Sequence, residues 1–176
     1  MITNTQKRIH EIDPELKYIK TLKKKFGAEI FLVKQKRKRY VLKSQTTRDE
    51  LCSERKGLVR AEGVSGITHL VRNYGEQETY DAILKEYFPG KDFLELHEKI
   101  SDTNHQRKLE QTVRDFHSLG IASLDIARRN IVLSPDKKEI KIIDFGFCKF
   151  KEDISAIRFE TLKNYDFRCL EENCFV

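Results

Sequence analysis

Asp125, Asn130 and Asp144 carry hard oxygen donors, and the stretch from Ser123 to Lys149 fixes their offsets, S-L-D-I-A-R-R-N and then I-I-D-F-G. Asp125 lies five residues before Asn130. Between Asn130 and Asp144 run two short apolar segments, Ile131-Val132-Leu133 and Ile140 to Ile143. The link between them, Ser134-Pro135-Asp136-Lys137-Lys138, carries a turn signal in its Pro and Asp. The pattern predicts an antiparallel hairpin whose open end brings Asn130 beside Asp144, with Asp125 on the loop that feeds it. Such a set of oxygens suits a hard cation such as Mg²⁺, which is held by one or two carboxylates together with phosphates and water. Each residue alone reads as an ordinary turn-flanking polar group. The joint spacing is what points to chemistry.

The elements that must position these groups are legible in outline. Ile9, Ile12, Leu16, Ile19 and Leu22 recur three or four apart, predicting one helix or two short ones broken around Pro14. Residues 26–33 and 40–43 read as strands around the basic link Lys34 to Arg39. Thr47 and Glu50 have capping-box spacing for a helix that should end near Glu62, before Gly63. On it Leu51, Glu54, Leu58 and Ala61 share one face, so Glu54 is an acid in an apolar stripe and requires a partner. Ile67 to Arg72 and Tyr80 to Tyr87 supply two more strand-like runs, and Pro89-Gly90 marks a turn. Phe93, Leu94, Leu96 and Ile100 suggest a short helix. A longer one follows, with Leu109, Val113, Phe116 and Leu119 on one face and Gly120 as its stop. His117, beside that face, reads as structural. A last helix is expected from Asp153 to Tyr165.

Composition sets broad bounds. The 176 residues suffice for one domain or two small lobes, with 39% hydrophobic and 35% charged residues. No apolar run approaches the roughly 20 residues that span a bilayer, and Met1 to Arg8 has no signal-peptide character. Cys52, Cys148, Cys169 and Cys174 form no C-x-x-C pair, which predicts reduced thiols in a cytoplasmic protein. The net charge of +6 favours polyanions. Its densest clusters, Lys23-Lys24-Lys25 and Lys34 to Arg39, suggest contact with a partner protein or RNA through Lys34 to Arg39.

The spacing D-x-x-x-x-N, a strand pair and D-F-G resembles the catalytic and metal loops of protein kinases. The resemblance implies an α+β, two-lobed protein-kinase-like fold: an N-lobe over 1–88 with a small antiparallel sheet, and a truncated helical C-lobe over 89–176. It implies ATP and Mg²⁺ as cofactors and a hydroxyl-bearing acceptor, protein or sugar. Asp125 would deprotonate that hydroxyl, and Asn130 and Asp144 would hold the metal on the phosphates. Lys43, ending the second strand as in V-A-I-K, would anchor the nucleotide phosphates and pair with Glu54, with Glu50 as runner-up. Gly27 would lie in the phosphate-covering loop, and backbone groups from Glu86 to Phe88 would meet the adenine.

The departures indicate a branch. Only Gly27, in F-G-A-E-I, stands where G-x-G-x-x-G is usual. That element and E-R-K-G-L-V-R-A-E-G-V are similar to the small atypical kinase of the KEOPS tRNA-modification complex. RIO kinases and bacterial lipopolysaccharide-core kinases share the reduced plan. Ser123-Leu124-Asp125 replaces H-R-D, A-P-E is missing, and Ala127 stands where the family has a lysine, leaving Arg128 or Arg129 to supply a cation. The resemblance therefore implies a phosphotransferase, foremost an atypical serine/threonine protein kinase. The alternatives are a sugar or lipopolysaccharide-core kinase, and a nucleotide-binding pseudokinase or ATPase-like component of an RNA-linked complex.

Overall fold

The computed structural model describes residues 4–25, 28–45, 49–76 and 81–176. Gly27 and Thr47 lie outside the described residues. Two compact units divide the chain: Met1–Leu51 with His69–Tyr87, and Cys52–Thr68 with Phe88–Val176. The reading of the sequence placed one boundary at 88/89. In the structure 52–68 belongs with the second unit.

The first unit is an antiparallel sheet with a helix on one face. Helix α1 (Asn4–Ile12) is followed by β1 (Lys17–Lys25), β2 (Ala28–Gln35), β3 (Lys38–Gln45), β4 (Leu70–Glu76) and β5 (Asp81–Glu86), in the order β1-β2-β3-β5-β4. Period-2 alternation sorts the strands by face. Ile9, Ile12 and Leu16 pack with Phe31, Val33, Leu42, Ala82 and Leu84. The helix expected through residue 22 is half wrong. Beyond Leu16 the chain is an edge strand whose Ile19 and Leu22 are 37% and 42% exposed, and its lysines suit an unpaired edge. Asp13, 4% exposed, fixes the corner between α1 and β1. It pairs with Arg72 and accepts from Tyr74 Oη at 2.6 Å. Burial, reinforced by that bond to Asp13, raises the Tyr74 phenol well above its ordinary value.

Helix α2 (Asp49–Arg60) crosses from one unit to the other. Its apolar stripe is as expected, with Leu51, Glu54, Leu58 and Ala61 at most 2% exposed. In the second unit follow β6 (Lys91–Asp92), α3 (Thr103–Ser118), β7 (Ile121–Ala122), β8 (Ile131–Leu133), β9 (Ile140–Ile142), β10 (Lys149–Phe150) and α4 (Ala156–Cys169). Strands β6, β8 and β9 form one small sheet, and β7 with β10 another. Asp102 caps α3 by accepting from His105 N–H at 2.8 Å, and Leu109, Val113 and Phe116 are fully buried. The short helix expected near 93–100 is a turn, with Phe93 and Ile100 buried and Leu94 49% exposed. The last helix starts at Ala156 behind an N-cap at Ser155 and runs to Cys169. It buries Phe159, Asp166 and Cys169 and leaves Ile157 84% exposed.

Candidate functional site

In the second unit the hairpin forms as its sequence requires. Ile131 pairs with Ile142 and Leu133 with Ile140. One step towards the open end, Ile143 N–H donates to Asn130 O at 2.9 Å, which sets Asn130 and Asp144 at adjoining positions. Asn130 closes a short 3₁₀ turn, Arg128–Asn130, and is 4% exposed. Its Nδ2 donates to the Asp125 backbone oxygen at 2.9 Å and to Asp125 Oδ2 at 2.8 Å. Both partners are pure acceptors, so the amide must present its NH₂ to them and turn Oδ1 the other way.

That orientation fits a hard cation. Oδ1 of Asn130 and the Asp144 carboxylate are the donors such an ion takes, completed by phosphate and water oxygens. Among the described residues no group of three or more His, Cys, Asp or Glu side chains gathers. Asp144 Oδ1 also accepts from Gly146 N–H at 3.2 Å, curling the chain back. Phe145 then stacks on Phe116, ring centres 4.8 Å apart.

Asp125 and Ser123 have φ of +49° and +62°, left-handed backbone that non-glycine residues hold only when their surroundings enforce it. Asp166 of α4 does so. It is 1% exposed, accepts from the N–H groups of Ser123 and Leu124 at 2.9 Å each, and meets His117 Nε2 at 2.9 Å. His117 is thus structural, as expected. Asp166 escaped the sequence reading, although an acid between Leu162 and Cys169 on a helix face was a signal of the same kind as Glu54. Between the two arginines left open, Arg129 meets the carboxylate, with Nη2 at 3.0 and 3.1 Å from Asp125 Oδ1 and Oδ2.

Glu54 is fully buried on α2 and has a partner. Burial first, and then the Glu54 charge, push the Cys148 thiol up to about 12, so that sulfur stays protonated and unreactive. Phe88 also belongs to the second unit, with Lys141 Nζ 5.3 Å from its ring centre.

Lys43 and Glu86 belong to the first unit. Lys43 stands on β3 between Ile30 and Ile83, 5% exposed. Alternation puts it on the face away from α1, together with Lys85 of β5, which is 4% exposed and went unremarked in the sequence reading. Glu86 is tied to His69: its N–H donates to His69 O at 3.0 Å, and Oε2 accepts from His69 N–H at 3.3 Å. Its amide is therefore engaged within the sheet, which narrows the expected adenine-facing groups to its carbonyl and the residues beyond.

A model of the protein kinase domain matches residues 18–165. The chain belongs to the protein kinase domain family. Over 78 residues this kinase domain is 31% identical to a probable casein kinase II subunit alpha homolog of Encephalitozoon cuniculi (strain GB-M1), covering 43% of the chain and 24% of that protein. The chain thus spans about a quarter of that relative's length. Its fold resembles the PK-1 kinase of Cydia pomonella granulovirus, with a TM-score of 0.70 at 14% identity over 83% of this chain and 59% of that one. The architecture is the α+β kinase fold, with an antiparallel-sheet unit and a helical unit. Among the described residues no helix is long and apolar enough to cross a membrane.

Proposed function

We propose that this kinase domain is an ATP- and Mg²⁺-dependent phosphotransferase that moves the γ-phosphoryl group to a hydroxyl, in the first instance of a serine or threonine side chain. The observation that carries this reading is the Asn130 amide, whose Nδ2 is fixed by two bonds to Asp125 at the hairpin end where Ile143, next to Asp144, bonds to its backbone oxygen. Asp125 accepts the proton of the attacking hydroxyl. Bound Mg²⁺ supplies neutralisation of the charge on the phosphate oxygens. Lys43 holds the phosphates and is oriented by Glu54. Gly27 lies over the nucleotide, and backbone groups from Glu86 to Phe88 meet its base. Arg129 supplies the cation that Ala127 lacks.

The G-A-E element favours an atypical branch, akin to the KEOPS-complex, RIO and lipopolysaccharide-core kinases, and the proposed place of work is the cytoplasm. A sugar acceptor is the second reading, in keeping with the reduced plan shared with lipopolysaccharide-core kinases. A partner protein or RNA would meet the turn between β2 and β3. There Lys36, Arg37, Lys38 and Arg72 line an open cavity of about 690 Å³ with Glu15, Gln35 and Tyr40.

The test is transfer from labelled ATP to a panel of proteins and sugars. Asp125→Asn should cut the rate about 10²- to 10⁴-fold while leaving nucleotide binding in place. A parent protein that binds Mg-ATP yet labels nothing would leave only a binding role. Label appearing on sugars alone would move the assignment to the second reading.

A further inference from the structure

The hairpin of β2 and β3 closes on a two-residue link, with Gln35 paired to Lys38 across it. Links of that length favour Asn and Gly, because they call for left-handed backbone. Here the two residues are Lys36 and Arg37, and Lys36 holds φ of +53°. A long side chain kept in that region is a pointer to function, since the turn alone would be better served by another residue. The strands beside it add repulsion. Lys17 lies opposite Lys34, and Lys34 opposite Arg39, like charges directly across neighbouring strands. Among the described residues none of Lys34, Lys36, Arg37, Lys38 and Arg39 is paired with a carboxylate. The end of the sheet thus holds a positive charge that the fold itself does not neutralise.

Lys36, Arg37 and Lys38 form one wall of the cavity of about 690 Å³, and Arg72 of β4 forms another. That second wall is preorganised. Asp13 is 4% exposed, takes Arg72 Nη1, and is itself held by Tyr74 Oη at 2.6 Å. The guanidinium keeps further N–H donors beyond the one given to Asp13. Glu15, on the α1–β1 corner, closes the cavity and is engaged by Gln35 Nε2. Four cations against the two carboxylates of Asp13 and Glu15 leave a formal surplus of +2. A phosphate monoester, at about −1.5 to −2 near neutral pH, is the matching charge, and its oxygens suit arginine forks and lysine points alike. The corner and β4 bound the space, and its one ring, Tyr40, packs on the core. A compact group fits such a place better than a strand of stacked bases.

We propose that this cavity is a binding site for a phosphate monoester, held by Lys36, Arg37, Lys38 and Arg72, and carried on a phosphorylated side chain of a partner protein or on a free small molecule. The site rests on the reading of this turn as a contact surface and is independent of transfer at Asp125. All of its residues belong to the first unit.

The test follows backbone and arginine side-chain N–H signals of the full chain by NMR while phosphoserine is added at constant ionic strength. Signals of Lys36 to Lys38 and of Arg72 Nε should move saturably. Tighter binding of a phosphoserine peptide than of phosphoserine assigns the group to a polypeptide, and equal affinity assigns it to a small molecule. Lys36→Asn should weaken phosphoserine about 2- to 5-fold while raising the urea midpoint, because asparagine tolerates left-handed backbone. Arg37→Gln with Lys38→Gln should weaken it further without unfolding the chain. Signals that stay in place would overturn the proposal, as would an affinity that the double variant leaves unchanged. RNA that moves these signals where phosphoserine does not would overturn it in favour of an extended polyanion. None of these readouts needs turnover, so a chain that transfers no phosphate would refute the proposed function and still decide the site.

Discussion

Asn130 is a donor by force of its surroundings. Replacing it with Asp puts a third oxygen against Asp125 and loses two hydrogen bonds, at about 2–4 kcal/mol. Asn130→Asp should lower the urea midpoint and raise the Mg²⁺ concentration needed for nucleotide binding, both measurable by fluorescence titration. Asp166 has a different job. Asp166→Ala leaves the buried Leu124 N–H, the partly buried Ser123 N–H and His117 without this carboxylate, so it should cost about 3–5 kcal/mol and depress turnover through the loop it holds. A variant as stable as the parent would refute that assignment. These two residues also mark what the sequence discloses. The contact of Asn130 with Asp125 was legible because the two lie five positions apart on the loop that feeds one hairpin. Asp166 was not, because the N–H groups it serves are more than forty residues earlier. Nor can spacing say which of two adjacent arginines turns back onto a carboxylate.

At the scale of elements, Gly66 shows how tightly the second unit is built. Its φ is +82° and a Cβ there would stand 2.2 Å from Thr112 Oγ1, a hydroxyl already bonded to Ser65 O and Lys108 O. Gly66→Ala should destabilise by about 1–3 kcal/mol, read as a lowered midpoint in urea. The Arg60–Glu152 ion pair carries a pH signature. The hydrogen bond from Arg60 draws the Glu152 carboxyl down to about 2, below its ordinary 4.5. Its contribution is therefore present above pH 4.5 and lost as pH falls towards 2. Titration of the Glu152 carboxyl by NMR should give a value near 2 in the parent, moving up towards 4.5 in Arg60→Ala. The hairpin, α2 and α3 were read correctly because periodicity and turn chemistry agree there. The stretch from Lys17 failed because Leu16, Ile19 and Leu22 mimic helical spacing in a lysine-rich edge strand, where Tyr18 packs on the core while Ile19 and Leu22 stay largely exposed. Residues 93–100 failed because four apolar side chains look like a helix face, while only two are buried.

For the whole molecule, the fold class was legible through the kinase-like spacing of D-x-x-x-x-N and D-F-G. Charge is one property of this scale. Neutralising Lys36, Arg37, Lys38 and Arg39 together should reduce the slope of log K against log salt for RNA by about 3 to 4, and an unchanged slope would place any polyanion elsewhere. The interleaving of the two units has another consequence, which concerns biosynthesis. Residues 52–68 leave the ribosome long before the strand Ile142 that bridges to Ile67, the helix that supplies Thr112 or the acids that meet Lys56 and Arg60. Until then Leu58, Ala61 and Ile67 have nowhere to hide from water, so a nascent chain stalled there would present them as a natural substrate for chaperones. Cutting the gene at codon 88 would freeze that moment, and the released N-terminal half should collect in inclusion bodies.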